Sequence, residues 1–242
     1  MPPVLLLAGG LGTRLRPLTD RTPKCLVPVA GKPLLDFWRE LFEAQGIRDV
    51  IINVHAHPDP VHEYLEQRRG GPVRWQAFDE PELLGSAGTL RETLPQLEKS
   101  PDFLVIYADN LSDVDLRDFV AFHRERRAEF SMALFETTTP SACGIATLEP
   151  DGRISSFVEK PEKPTSRLAN AGIYAIGSGV VGGLLDLESR DIGFDLLPML
   201  VGRMYGWKLP GYHRDIGNPE ALALAEADVE QGALARAQED GS

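Results

Sequence analysis

Five apolar residues in a row, Val4 to Ala8, run straight into Gly9, Gly10 and Gly12. Such a run, with no polar alternation, reads as a strand buried on both faces, and strands of that kind belong to parallel sheets covered by helices. The pattern repeats along the chain. Leu34 to Ala44 has helical periodicity and stops at Gly46, and Val50 to Val54 reads as a second buried strand, completing a β-loop-α-β unit. Val61 to Arg69 then reads as helix, Val73 to Phe78 as strand, and Ala87 to Leu97 as helix. Phe103 to Tyr107 is a further buried strand, ending at Ala108-Asp109-Asn110.

From Ser131 the spacing changes. Ser131 to Thr138, Gly144 to Leu148, Ile154 to Val158 and Ala171 to Ile176 read as strands separated by turns such as Pro150-Asp151-Gly152, which predicts a partly antiparallel second half. Helices are expected at Val180 to Leu187 and Phe194 to Arg203. A short strand near Tyr212 to Ile216 and a last helix from Pro219 to about Ala237 follow. No linker separates the halves. The expected fold is α/β: a Rossmann-like, mostly parallel but mixed sheet flanked by helices, as a single domain over residues 1–242. Its ligands would sit beyond the carboxyl ends of the strands, where Gly9 to Gly12 and Asp109 fall.

With 242 residues the chain can bury a sizeable core. Its formal charge of −11 and lack of any basic run argue against nucleic acid or an anionic membrane as partner, since both require a positive face. A polyphosphate ligand would need locally concentrated cations. Cys25 and Cys143, the two cysteines, lack metal-ligand spacing and fit a reducing compartment. Met1 to Ala8 lacks the basic start and the length of a signal peptide, and nothing approaches the roughly 20 apolar residues of a membrane span. A cytoplasmic protein is expected.

Cations are concentrated beside the glycines. Leu7-Ala8-Gly9-Gly10-Leu11-Gly12-Thr13-Arg14 continues to Thr19, and Thr22-Pro23-Lys24 follows. Glycines after a buried strand let backbone N–H groups approach an anion, while Arg14 and Lys24 add charge, which suggests a triphosphate-binding loop. It is neither a Walker A sequence nor the dinucleotide pattern, because Gly-Lys-Ser/Thr and the third spaced glycine are both missing.

This loop resembles the signature of the sugar nucleotidyltransferase family. The resemblance continues through Gly85-Ser86-Ala87-Gly88-Thr89, Ala108-Asp109-Asn110, Glu159-Lys160-Pro161, Asn170-Ala171-Gly172 and Asp215-Ile216-Gly217-Asn218-Pro219, in the family's order and spacing and over nearly the whole chain. It implies a nucleotide-binding half at 1–130 and a sugar-phosphate-binding half at 131–242. The implied substrates are a nucleoside triphosphate and a sugar 1-phosphate. Leu7, Ala8, Gly9, Gly10, Gly12, Thr13, Arg14, Lys24, Glu80, Gly85, Ser86 and Ala87 would meet the nucleotide. Asn110, Gly144, Glu159, Lys160 and Asn170 would meet the sugar phosphate.

Asp109 and Asp215 each end a strand, so their carboxylates could meet above the sheet and share Mg²⁺, which takes one or two carboxylates and leaves its other positions to phosphates and water. Taken alone, either aspartate reads as a turn or helix cap. The resemblance assigns both to the metal. It also places Lys160 on the sugar phosphate, Glu159 on sugar hydroxyls and Arg14, Lys24, Asp109 and Lys160 among the catalytic groups.

Glu80, five residues before Gly85, bears on the base. Thymidylyl and uridylyl relatives often carry glutamine there. A carboxylate accepts two hydrogen bonds at once, which suits guanine N1–H and its amine, so GTP is favoured over a pyrimidine triphosphate. The tail from Asp195 to Pro198 and from Gly211 to Pro219 looks most like short mannose- or heptose-1-phosphate guanylyltransferases. No hexapeptide repeat follows, so a single activity is expected, and the resemblance, with the shortened C-terminal half, implies a monomer or homodimer. A thymidylyl- or uridylyltransferase acting on glucose-, N-acetylglucosamine- or N-acetylmuramate-1-phosphate is the alternative in the same class, and an inactive nucleotide-sugar sensor the alternative outside it.

Two further patterns read as structure. Gly177-Ser178-Gly179-Val180-Val181-Gly182 matches a dinucleotide fingerprint by letter but lacks its βαβ context. His55, His57 and His62 lack a recognised zinc spacing and read as loop residues.

Overall fold

The computed structural model describes residues 1–186 and 188–234. Strand β1 (Val4–Leu7) leads into the glycine loop, which is shaped by single turns at Thr13–Leu15, Leu18–Asp20 and Lys24–Leu26. A two-stranded ribbon, β2 (Pro28–Val29) and β3 (Lys32–Pro33), delivers the chain to helix α1 (Leu34–Gln45). Gly46 ends that helix at φ 76°, a conformation that costs glycine little, with Ile47 N–H bonded back to the Phe42 carbonyl at 2.9 Å. Next come β4 (Asp49–Val54), α2 (Pro58–Glu66), β5 (Arg74–Asp79), α3 (Gly85–Leu97) and β6 (Asp102–Tyr107).

The second half opens with β7 (Asn110–Ser112) and α4 (Leu116–Glu125). Strands β8 (Phe130–Glu136), β9 (Gly144–Leu148), β10 (Ile154–Glu159) and β11 (Leu168–Gly177) follow, then β12 (Met204–Lys208), β13 (His213–Asp215) and α5 (Pro219–Glu230).

Nine strands form one mixed sheet, in the order β10-β9-β11-β6-β1-β4-β5, with β8 pairing β11 and β12 off this row. Strand β1 lies parallel between β4 and β6, and β11 runs antiparallel to β6. The carboxyl ends of β1 and β6 and the amino end of β11 therefore reach the same edge. The period of two along β1 sorts its side chains between two cores. Val4 and Leu6 join α1, α2 and α4 in one; Leu5 and Leu7 join α3 and the segment from Ile192 to Leu200 in the other. Each fully buried leucine contributes about 1.5–3 kcal/mol of transfer free energy, so both faces hold the sheet in place. A smaller third core, containing Leu15, Val27, Leu34, Leu111, Ile216 and Leu222, joins the glycine loop to β7, β13 and α5.

Two expected helices do not form as read. After β11 the chain turns through Gly177, Gly179, Gly182 and Gly183 without helix, Gly179 lying at φ 80°, and residue 187 lies outside the described residues. The expected helix at Phe194 to Arg203 is instead a five-residue π turn, Ile192–Leu196, followed by a 3-10 turn, Leu197–Leu200. Pro198 explains the difference: it has no N–H, and its ring would clash with the carbonyl four residues back. The end of the last helix near Ala237 lies outside the described residues. Helix α4, which the sequence reading passed over, carries the apolar spacing Leu116, Phe119, Val120 and an Asp115 cap that accepts from Arg117 N–H and Asp118 N–H at 2.8 and 3.0 Å.

Candidate active site

Above the edge where β1, β6 and β11 meet lies a cavity of about 240 Å³. The glycine loop supplies Leu7, Ala8, Gly9 and Gly10; the start of α3 supplies Gly85 and Ser86; and Lys24, Tyr107, Asp109 and Asp191 complete the wall toward the second half.

Asp109 and Asp215 are brought together by the ribbon β7–β13, in which Asp215 stands opposite Asn110 and Ile216 N–H donates to the Asp109 carbonyl at 2.9 Å. Between the two carboxylates stands Lys24, whose Nζ donates to Asp109 Oδ2 at 2.5 Å and lies 3.9 Å from Asp215 Oδ1. The lysine is buried although both its partners are partly exposed. Burial and the neighbouring Asp109 charge raise the Asp215 pKa above the usual aspartate range, opposed by Lys24, Arg14 and Lys160. Arg14 itself is exposed, with Nη2 2.9 Å from where a side chain on Gly217 would begin, which places it on the Asp215 side of the cluster. Two neighbouring carboxylates form an oxygen donor set of the hard kind that Mg²⁺ takes. Among the described residues no group of three or more histidine, cysteine, aspartate or glutamate side chains is placed to hold a metal ion.

The glycine loop is held from below by a buried polar network. Asn53 Oδ1, at the end of β4, accepts from Ala8 N–H at 2.6 Å and Gly9 N–H at 3.1 Å. Its Nδ2 donates to Glu80 Oε1 at 2.9 Å, and Thr89 Oγ1 donates to that same oxygen. Leu84 N–H donates to Glu80 Oε2 at 3.3 Å. Glu80 is 4% exposed and is not part of the cavity wall, whereas Asn53 and Thr89 are. Both oxygens of the Glu80 carboxylate, which was expected to face a base, have partners inside the protein. Gly12, at φ 61°, leaves room for Thr19, whose Oγ1 donates to the Gly12 carbonyl at 2.7 Å. Thr13 is exposed on the turn that follows.

The halves meet where the segment from Arg190 to Asp195 packs on the start of α3. Gly85 lies at φ 77°, and a Cβ there would collide with the Arg190 carbonyl. Ala87 N–H donates to that carbonyl at 3.1 Å, and Ile192 N–H donates to Ser86 Oγ at 2.9 Å.

In the second half Glu159, the last residue of β10, is enclosed by Gly144 and Gly193, and a Cβ at either glycine would clash with its Oε2. Its pKa is raised by burial and by the nearby Asp191 charge, against the pull of Lys160. Lys160 sits at φ 47°, with its N–H on the Cys143 carbonyl at 3.1 Å. Asn110 and Asn170 are turned inward. Asn110 Nδ2 donates to the Ala171 carbonyl at 3.0 Å, and Asn170 joins the Tyr174 hydroxyl at 2.7 Å and Gly172 N–H at 2.9 Å. Sequence reasoning missed Asn53, Thr89, Tyr107 and Asp191. Only Asn53, a lone polar residue closing an apolar strand, carried a visible signal. The histidines have ordinary partners: His55 meets the Glu80 carbonyl, His57 the Thr19 carbonyl and His62 Asp79. Among the described residues no helix is long and apolar enough to cross a membrane.

A glycine loop after the first parallel strand, with a lysine and two carboxylates beside it, defines an α/β protein whose cavity opens at the carboxyl edge of its parallel strands. The chain belongs to the nucleotidyl transferase family, whose model matches residues 3–232. It is 34% identical over 224 residues to a mannose-1-phosphate guanyltransferase of Yarrowia lipolytica and 32% identical over 222 residues to mannose-1-phosphate guanylyltransferase 1 of Arabidopsis thaliana. Each match covers 89% of this chain and 61% of the relative, so the chain spans about three fifths of the length of these curated relatives. The crystal structure of HddC from Yersinia pseudotuberculosis superposes with a TM-score of 0.82 at 25% identity, covering 95% of this chain and 100% of that one.

Proposed function

We propose that the chain transfers a nucleotidyl group, guanylyl being favoured, from a nucleoside triphosphate to a mannose- or heptose-type sugar 1-phosphate. The observation that carries this reading is the meeting of Lys24, Asp109 and Asp215 at the mouth of the cavity, between the glycine loop and the Glu159–Lys160 turn. The preference for guanine rests on the names of the relatives, since Glu80 is engaged elsewhere.

In this reaction an oxygen of the sugar phosphate attacks the α-phosphorus of the triphosphate, the bond from that phosphorus to the bridging oxygen breaks, and pyrophosphate leaves. No protein nucleophile is needed, so the protein contributes position and charge. Residues 1–130 would hold the nucleotide and residues 131–242 the sugar phosphate. The N–H groups of the glycine loop, with Arg14 and Lys24, would bind the triphosphate, and Lys160 would hold the attacking phosphate. Asp109 and Asp215 would hold Mg²⁺, which when bound neutralises phosphate charge. The assembly would be a monomer or homodimer.

The test is pyrophosphate release with Mg²⁺ across GTP, UTP, dTTP, CTP and ATP against mannose-, heptose-, glucose-, N-acetylglucosamine- and N-acetylmuramate-1-phosphates. The fastest turnover is expected with GTP and a mannose- or heptose-type acceptor. Turnover with pyrimidine triphosphates alone would overturn the base preference, and silence throughout would leave the sensor reading.

A further inference from the structure

We infer that Asp191 is a second carboxylate of the acceptor subsite and that, with Glu159, it selects a neutral sugar 1-phosphate whose ring presents free hydroxyls. The inference rests on the nucleotidyltransferase reading above and names an acceptor residue that lies outside the family motifs of this sequence.

Asp191 reaches the cavity from the second half, on the same wall as Ser86 and Tyr107. Gly193 brings it next to Glu159: a Cβ built there would lie 2.9 Å from Glu159 Oε2 and 3.1 Å from Asp191 Oδ1. Any side chain at 193 would fill the space between the two carboxylates. Asp191 Oδ1 accepts one bond, from Phe194 N–H at 3.0 Å, which caps the π turn; its other oxygen has no hydrogen-bond partner among the described residues, and neither has the Glu159 carboxylate. The position of Asp191 is fixed independently of any ligand, because Asp195 Oδ2 accepts from Arg190 N–H and Asp191 N–H at 2.7 and 2.8 Å, and Ile192 N–H is tied to Ser86.

Ionised carboxylates are acceptors only. Two of them on one rim, with open lone pairs, match the donors of a polyhydroxylated ring, and hydrogen bonds to charged acceptors are about twice as strong as neutral ones. A ring substituent bearing its own carboxylate would meet like charge there. The pair therefore excludes uronic acid and lactyl ether sugars by charge.

Asp191 also caps a turn, so the test must separate charge from structure. Asparagine and serine cap about as well as aspartate. In Asp191→Asn and Asp191→Ser, the KM for mannose 1-phosphate should rise about tenfold or more, as for a lost charge-assisted contact. The KM for GTP should stay within about twofold, and the ratio of turnover with glucuronic acid 1-phosphate to that with mannose 1-phosphate should increase. If both variants match the wild type in acceptor KM and selectivity while Asp191→Ala alone loses stability, the residue is only a cap and the inference falls. If the wild type turns over no acceptor, the functional reading fails by itself. Calorimetric binding of mannose 1-phosphate and glucuronic acid 1-phosphate to wild type and Asp191→Asn then decides the role of Asp191, and equal binding of each ligand by both proteins overturns it.

Discussion

Lys24 Nζ bonds Asp109 at 2.5 Å and stands 3.9 Å from Asp215, so one buried ammonium serves two carboxylates that come from strands about a hundred residues apart. In Lys24→Met the carboxylates lose that cation, and the Asp215 pKa, already raised by burial and by Asp109, should rise further. Turnover should fall about 10²- to 10³-fold, the scale of a lost charge-stabilising group. The acid limb of the pH–rate profile should move to higher pH, because ionised Asp215 is then reached only at higher pH. An unmoved acid limb would show that the two groups are not coupled.

Asp109→Ala removes the other partner of Lys24 and one of the two carboxylates at the mouth of the cavity. Turnover should be lost while the circular dichroism spectrum and the melting transition remain those of a folded protein. Near-wild-type rates would refute the assignment of Asp109 to the metal.

Glu80→Gln keeps the shape of the side chain but replaces one acceptor with a donor. Thr89 and Asn53 already donate to Oε1, and Leu84 N–H donates to Oε2, so one of these contacts becomes donor against donor. A loss of about 1–3 kcal/mol in stability is expected, as for an unsatisfied buried group, together with a raised KM for every triphosphate. The ratio of activity with GTP to that with UTP should stay constant. A change of base preference would mean that the carboxylate meets the base after all.

Gly85→Ala tests the joint between the halves. The added methyl would meet the Arg190 carbonyl, and the residue would have to hold φ 77°. The melting temperature should drop by several degrees, in line with about 2 kcal/mol or more of strain and clash. A melting curve unchanged within a degree would refute the close packing of these segments.

His213 is pushed down to about 4 by burial, against the pull of Asp109, and its Nδ1 has no partner among the described residues. A depressed histidine pKa means that the unfolded chain takes up the proton first. The stability that this group contributes is therefore complete above about pH 6.5, the ordinary histidine value, and is lost as pH falls from there toward the folded value. In His213→Phe that part of the acid destabilisation should disappear from urea titrations at pH 7 and pH 5. An identical pH dependence in both proteins would refute the assignment.

Much of this was legible in the residues. The apolar run Val4–Leu7 and the stop at Gly46 gave the order of elements in the first half, because buried parallel strands have few alternatives. Pro198 was equally visible, yet periodicity alone made a helix of residues that a missing N–H breaks into two turns. The site motifs located the cavity, but they could not show which way Glu80 faces, since its partners Asn53 and Thr89 come from other elements. Asp191 was invisible for the same reason: its nearness to Glu159 depends on Gly193 and on packing against α3.

The β7–β13 ribbon also orders events in time. Chains leave the ribosome amino end first, so the glycine loop, Lys24 and Asp109 are all made long before Asp215, which joins them only when β13 pairs with β7. Until then the newborn chain would hold one carboxylate against its lysine. The mouth of the cavity would acquire its full charge pattern only when β13 docks against β7.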